Sequence, residues 1–181
     1  MRYEILIGGY GGQGILLAGY VIGHAAVMAG YEATYVPSYG PEARGGRCAS
    51  RIVISDSPID YPLVRSPDCE IFMYKEAYDT YIHLLKPGGI LIVDADLVKL
   101  DDRAKKAKVF KIPATRMAEH LGRRIVANSI MIGAFTAITK LIPYEIIKKS
   151  LFEAVREKGP EINLRALEEG YNYAKKLLGE E

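Results

Sequence analysis

Alternating strand and helix signals along 181 residues predict an α/β protein: a three-layer, Rossmann-like fold with a mostly parallel sheet and an antiparallel hairpin at its edge. Three observations predict it. Short apolar runs are separated by amphipathic stretches, the pattern of parallel strands joined by helical crossovers. A glycine turn, Gly9-Tyr10-Gly11-Gly12-Gln13-Gly14, links the first run to the first helix. No linker, repeat or low-complexity stretch breaks the alternation, so residues 1–181 are expected to form one domain.

The elements follow in order. Residues 3–7 are an apolar run ending at glycines, as in a buried parallel strand. Residues 13–29 read as a helix, with Ile15, Leu16, Ala18, Gly19, Ile22 and Ala26 on one broad face and Gly30 as its stop. Residues 32–37 form a second strand, and 38–46 a loop containing Pro41 and several glycines. Residues 51–55 give a third strand, which Asp56-Ser57-Pro58 turns toward Ile59; a hairpin at that turn is expected to supply the antiparallel edge. Residues 70–74 are a core strand and 76–85 its following helix. Lys86-Pro87-Gly88-Gly89 turns tightly into the strand 90–93, capped by Asp94, and 109–112 is a further strand. Residues 113–121, 128–141, 143–157 and 160–178 are helices, the last two opening on proline, which suits a first turn.

Composition narrows the function classes. Apolar residues make up 49% and charged residues 25%, the balance of a soluble globular protein. The formal net charge is only +2, and Lys105, Lys106 and Lys108 follow Asp101 and Asp102, so no field for gripping nucleic acid is expected. No apolar run approaches the roughly 20 residues needed to cross a bilayer, and residues 1–7 lack the layout of a secretory signal. The expectation is a cytoplasmic protein with no membrane and no nucleic-acid partner. Cys48 and Cys69 are the two cysteines, without a CxxC pair, so neither a four-thiolate iron–sulfur cluster nor a zinc site is expected; both read as buried free thiols.

Two loops carry the chemistry. Gly9, Gly11, Gly12, Gln13 and Gly14 belong to a G-x-G-x-x-G turn between a strand and a helix, where glycines allow close approach to a diphosphate and the helix end offers free N–H donors. An NAD site would add an acid at the end of the second strand, but that strand ends Tyr35-Val36-Pro37-Ser38. The second loop, Ser38-Tyr39-Gly40-Pro41-Glu42-Ala43-Arg44-Gly45-Gly46, should emerge at the same carboxyl edge of the sheet. There Arg44 offers a forked donor for phosphate or carboxylate, Glu42 a group to position it, and Ser38 and Tyr39 hydroxyls, with Gly45 and Gly46 letting the backbone approach. The competing readings are a ligand-free strand-to-helix turn and a solvated Glu–Arg pair.

These two loops in this order, with Tyr61-Pro62, Pro67-Asp68, Leu85-Lys86-Pro87-Gly88-Gly89 and the later Asn128 and Gly133, resemble the gamma subunit of 2-oxoacid:ferredoxin oxidoreductases over nearly the whole chain. Residues 1–181 thus resemble a pyruvate/ketoisovalerate oxidoreductase gamma-type domain. The second loop looks most like that of the 2-oxoglutarate enzymes; pyruvate and branched-chain members tend to carry arginine where Ala43 stands.

The resemblance implies oxidative decarboxylation of 2-oxoglutarate with coenzyme A to succinyl-CoA, carbon dioxide and reduced ferredoxin, or the reverse. It also implies alpha, beta and delta partner subunits, with thiamine diphosphate, magnesium and iron–sulfur clusters on those partners and ferredoxin as electron acceptor. This chain would support assembly and contact coenzyme A through the two loops, with no catalytic residue and no metal ligand of its own. An isolated copy is open to self-association through surfaces meant for partners, with Tyr10, Met73 and Tyr74 as candidate contacts. The alternatives are a gamma subunit for pyruvate, 2-ketoisovalerate or indolepyruvate, a pure scaffold, and a free-standing NAD- or flavin-binding protein.

Overall fold

Period-two alternation along β1 (Arg2–Tyr10) sets the layers. Ile5 and Ile7 enter one apolar cluster and Leu6 another, as a strand covered on both faces requires. The computed structural model describes residues 1–39 and 46–180. β2 (Glu32–Tyr39), β3 (Arg47–Ser55), β4 (Cys69–Phe72), β5 (Ile90–Asp94) and β6 (Lys108–Ile112) join β1 in a six-stranded sheet. The order is β2-β3-β1-β4-β5-β6. β1, β4, β5 and β6 are parallel, and β3 is antiparallel to both β1 and β2.

The helices are α1 (Ile15–Met28), α2 (Lys75–Tyr81), α3 (Ala114–His120), α4 (Ala127–Thr139), α5 (Tyr144–Val155) and α6 (Pro160–Leu177). Ile22 of α1, Phe135 of α4, Leu151 of α5 and Leu167 of α6 fill the larger cluster. Tyr78 of α2 and the neighbouring Ile82 close the smaller cluster over Leu6, Phe72, Leu91 and Val93. The expected mixed α/β sheet, mostly parallel with an antiparallel hairpin at its edge, is therefore present. Among the described residues no helix is long and apolar enough to cross a membrane.

The hairpin lies elsewhere than the turn at Asp56-Ser57-Pro58. It joins β2 to β3 through the segment between Tyr39 and Arg47, and β3 starts at Arg47 rather than 51. The reason is burial. Ile52, Val53 and Ile54 are successive and all fully buried, so β3 needs covering on both faces and sits inside the sheet, leaving β2 as the edge. Beyond Ser55 the chain forms no strand before Cys69; Pro58, Pro62 and Pro67 each remove a ladder donor there. The stretch expected to be helical over 76–85 ends at Tyr81 and continues as a single tight turn, Ile82–Leu84.

Hydrogen bonds fasten this crossing segment to the amino edge. The buried Glu4 carboxylate accepts from the Arg65 and Ser66 N–H groups (2.8 and 2.9 Å) and from Arg2 Nε (2.9 Å). Arg2 also donates to the carbonyls of Tyr61 and Leu63, and Thr34 Oγ1 to that of Pro62. Asp68 accepts from the Glu4 N–H and pairs with Lys86 at 2.9 Å.

On the larger face α4 is buried almost throughout and lies backbone to backbone against α6. A Cβ on Gly170 would overlap the carbonyl of Ile130, and one on Gly133 that of Leu167. Glycine at both positions is what lets the two helices touch. This contact holds α4, and with it Asn128, in place beside the glycine turn.

Candidate functional site at the carboxyl edge

β1 delivers Gly9 and Tyr10 to the carboxyl edge, and the chain must reverse into α1 within four residues. Gln13 clasps the turn: its Oε1 accepts from the Tyr10 N–H (2.9 Å) and its Nε2 donates to the Met73 carbonyl (2.8 Å). Gly14, at φ +75°, is the residue before the helix, in a conformation side-chain-bearing residues disfavour. Asn128 Nδ2 donates to its carbonyl at 3.2 Å, while Asn128 Oδ1 accepts from the Ser129 N–H. Among the described residues no side chain caps α1, and no acid stands in its first turn, so helix geometry leaves donors and positive potential directed at the turn.

The two loops meet as expected. Because β3 runs antiparallel to both β1 and β2, the ends of β1 and β2 emerge on one side, and the Gly11 N–H donates to the Gly46 carbonyl at 2.8 Å. Gly40, Pro41, Glu42, Ala43, Arg44 and Gly45 lie outside the described residues. Beside the joined loops is a cleft of about 810 Å³. Gly11, Gly12, Gly14, Tyr39 and Gly46 line it, with Ile15, Leu16, Leu17 and Val155 as its apolar wall and Asn128 and Asn163 as polar points.

Not every expected site residue faces this cleft. Gly9 packs on β1 between Gln13 and Ile15, and Gln13 has both ends of its amide engaged within the protein. Ser38 and Tyr39 are neighbours on β2, so strand alternation sends them to opposite faces: Tyr39 lines the cleft, while Ser38 accepts from Arg51 Nη1 at 2.6 Å. Tyr10 and Tyr74 meet edge to face at 4.6 Å between centroids, but Met73 is fully buried, so it is core rather than a surface contact.

Sequence reasoning missed two cations. Arg123, before α4, and Lys158, between α5 and α6, are the charged residues described in the lining, and neither makes an ion pair among the described residues. The visible signals were an Arg123-Arg124 pair and a Lys158-Gly159-Pro160 turn; only the packing of the helices brings them together. Cys48 also borders the cleft, and burial pushes its thiol up, away from the reactive thiolate. Asp94, at the end of β5 and outside the cleft's lining, is fully buried; burial raises its carboxyl, and the bond from Thr115 Oγ1 (2.6 Å) opposes that rise. A glycine turn, a helix end and two cations without partners among the described residues, and an apolar wall suit a long organic phosphate, not an acid–base reaction.

The residues present do not fit an iron–sulfur cluster. Cys48 and Cys69 are both buried and free, and two thiols cannot supply four-thiolate ligation.

Comparisons with known proteins identify the family. Residues 4–173 match the family described as pyruvate ferredoxin/flavodoxin oxidoreductase. The chain is 44% identical over 180 residues to 2-oxoglutarate synthase subunit KorC of Methanocaldococcus jannaschii, covering 98% of this chain and 96% of that one. It is 46% identical over 177 residues to subunit KorC of Methanothermobacter thermautotrophicus, covering 94% of each. Among solved structures it resembles the keto/oxoacid ferredoxin oxidoreductase gamma subunit of Geobacter sulfurreducens, with a TM-score of 0.85, 36% identity, and 97% and 98% of the two chains covered. A free-standing nucleotide-binding protein is not favoured.

Proposed function

The chain belongs to the pyruvate ferredoxin/flavodoxin oxidoreductase family, and from that we propose that it is the gamma subunit of a cytoplasmic 2-oxoglutarate:ferredoxin oxidoreductase. The complex decarboxylates 2-oxoglutarate oxidatively with coenzyme A, giving succinyl-CoA, carbon dioxide and reduced ferredoxin, or runs the reverse carboxylation. One observation carries the substrate assignment: near-full-length identity of 44% and 46% with subunits of 2-oxoglutarate synthases.

The chain contributes to the enzyme as a non-autonomous subunit, one gamma-type domain beside alpha, beta and delta chains. Thiamine diphosphate with magnesium and the iron–sulfur clusters belong to those partners, where the first stabilises the carbanion left by decarboxylation and the second carry single electrons to ferredoxin. This chain holds coenzyme A. Gly11, Gly12 and Gly14 and the open end of α1 receive its diphosphate together with Gly46, the wall of Ile15, Leu16 and Leu17 takes apolar parts of the molecule, and Glu42, Arg44 and Gly45 of the second loop are offered as further contacts on their chemistry alone.

The test is native purification of the complex under anaerobic conditions, with reduction of a ferredoxin-like dye followed for a series of 2-oxoacids. Coenzyme A-dependent turnover is expected with 2-oxoglutarate ahead of pyruvate, 2-ketoisovalerate and indolepyruvate. Preference for another acid would overturn the substrate, and a lone inactive chain would overturn the subunit role.

A further inference from the structure

Between α3 and α6 lies a second groove, of about 700 Å³, which shares no lining residue with the cleft at the glycine turn. Met117 and Leu121, four positions apart at the α3 side, and Tyr173 of α6 give it a half-buried apolar lining rooted in the larger cluster. Charge is sorted between this groove and the rest of the two helices. Of their carboxylates Glu119, Glu161, Glu168 and Glu169, only Glu169 lines it. Of their Lys and Arg side chains, Arg116, Arg165 and Lys176 line it and only Lys175 does not. The exposed His120 adds a further donor. Arg116 is taken by Asp96 at 2.7 Å, whereas Arg165 and Lys176 make no ion pair among the described residues. At a rise of about 1.5 Å per residue, Arg165 and Lys176 stand roughly 16 Å apart along α6. One phosphate or carboxylate cannot bridge that distance; a row of acids on an extended partner can.

We infer that this groove receives an acidic amphipathic segment of another subunit of the enzyme, an assignment that rests on the reading of the chain as a non-autonomous subunit. The segment's apolar side chains lie against Met117, Leu121 and Tyr173, and its carboxylates against Arg165, His120 and Lys176. Arg165 can hold one carboxylate through a forked pair of bonds, and Lys176 acts on another as a point charge. The charge pattern selects this occupant over others. A two-fold contact of the groove with itself would set Arg165 and Lys176 of one copy against the same cations of the second. A nucleic-acid backbone would meet Glu169, which stands between the two cations on α6 and repels a continuous polyanion. A protein segment with a donor at that point satisfies Glu169 instead, and the acid then fixes the register of the contact.

The experiment uses the natively purified complex and reads the dissociation constant of this chain from the remaining subunits by analytical ultracentrifugation at low and high salt. The proteins compared are the wild type, Arg165→Glu, Lys176→Glu, the double variant, and Lys149→Glu, which makes the same charge change on α5 outside both clefts. Arg165→Glu and Lys176→Glu should each weaken retention by about tenfold, and the double variant by more. Added salt should weaken the wild type more steeply than the double variant, because exposed charges are screened. Lys149→Glu should stay within about twofold of the wild type. All three side chains are exposed, so the unfolding temperature of the chain should not move. Carbodiimide, which joins an ammonium to a carboxylate touching it, should link Lys176 to an Asp or Glu of a different subunit. A link to a second copy of this chain, or none, would overturn the occupant. Wild-type retention of the double variant, or equal loss in Lys149→Glu, would overturn the groove as the contact and leave the subunit reading standing. A wild-type chain that purifies alone would overturn that reading together with the inference.

Discussion

The two edges of one sheet are built on opposite plans. At the amino edge polar groups close on one another: Glu4 accepts three hydrogen bonds, Asp68 takes the Glu4 N–H and Lys86, and Arg2 ties down two carbonyls of the crossing segment. At the carboxyl edge groups are left open among the described residues: no side chain caps α1, nothing lies within 4 Å of a Cβ on Gly12, and Arg123 and Lys158 make no ion pair. Satisfied polar groups stabilise the fold, whereas unsatisfied ones are available to a ligand. The motifs behind the family resemblance split along this line. Tyr61-Pro62, Pro67-Asp68 and Lys86 serve the closed edge, and the two glycine loops serve the open one.

Glu70 lies between the edges on β4 and shows what a carboxyl without donors does. It is fully buried, neither oxygen has a partner among the described residues, and burial raises its pKa to about 8, with Lys106 opposing only in part. A folded pKa above the unfolded value means that stability is complete below about pH 4.5, declines as pH rises toward 8 and is flat beyond. From about 1.4 kcal/mol per pKa unit, the loss between pH 5 and pH 9 should reach about 4 kcal/mol. Glu70→Gln should abolish that decline, as read from denaturant unfolding of the isolated chain at both pH values. An unchanged pH dependence in the variant would place the titration elsewhere.

Glu4 should behave in the opposite sense. Its hydrogen bonds to Ser66, Arg65 and Arg2 outweigh its desolvation and hold the carboxyl below its ordinary value. Its stability contribution is present above the unfolded pKa and is lost as pH falls through the lowered folded one. Glu4→Ala strands two backbone N–H groups and should cost about 2–4 kcal/mol at neutral pH. Coenzyme A affinity of the assembled complex should not change, because the residue sits at the far edge. A weakened affinity without loss of stability would erase the distinction between the edges.

Much of this was legible in the sequence because it is local or topological. The glycine turn required only a strand before it and a helix after it, and the convergence of both loops followed from β1 and β2 running the same way, as the Gly11–Gly46 bond bears out. The hairpin was misplaced because pairing is a long-range choice: nothing near residues 47–55 says that Ile52, Val53 and Ile54 need neighbours on both sides. Ser38 was grouped with Tyr39 by proximity, although strand parity turns it to the other face. Arg123 and Lys158 were invisible for a tertiary reason. That both line one cleft depends on how the helices next to them pack, and no local pattern encodes that.

The finest test of the open edge is Gly12→Ala. At φ +100° a Cβ would meet no described residue within 4 Å, so among the described residues the change adds backbone strain and no clash. The expected stability cost is about 1 kcal/mol, smaller than at Glu4. The new methyl group would nonetheless stand where a diphosphate must approach the backbone, and coenzyme A affinity should fall with little change in turnover at saturation. Measuring KM for coenzyme A and kcat in the assembled complex separates these effects. A raised KM with kcat preserved means that the space beside Gly12 is ligand space. An unchanged KM would mean that the turn only reverses the chain.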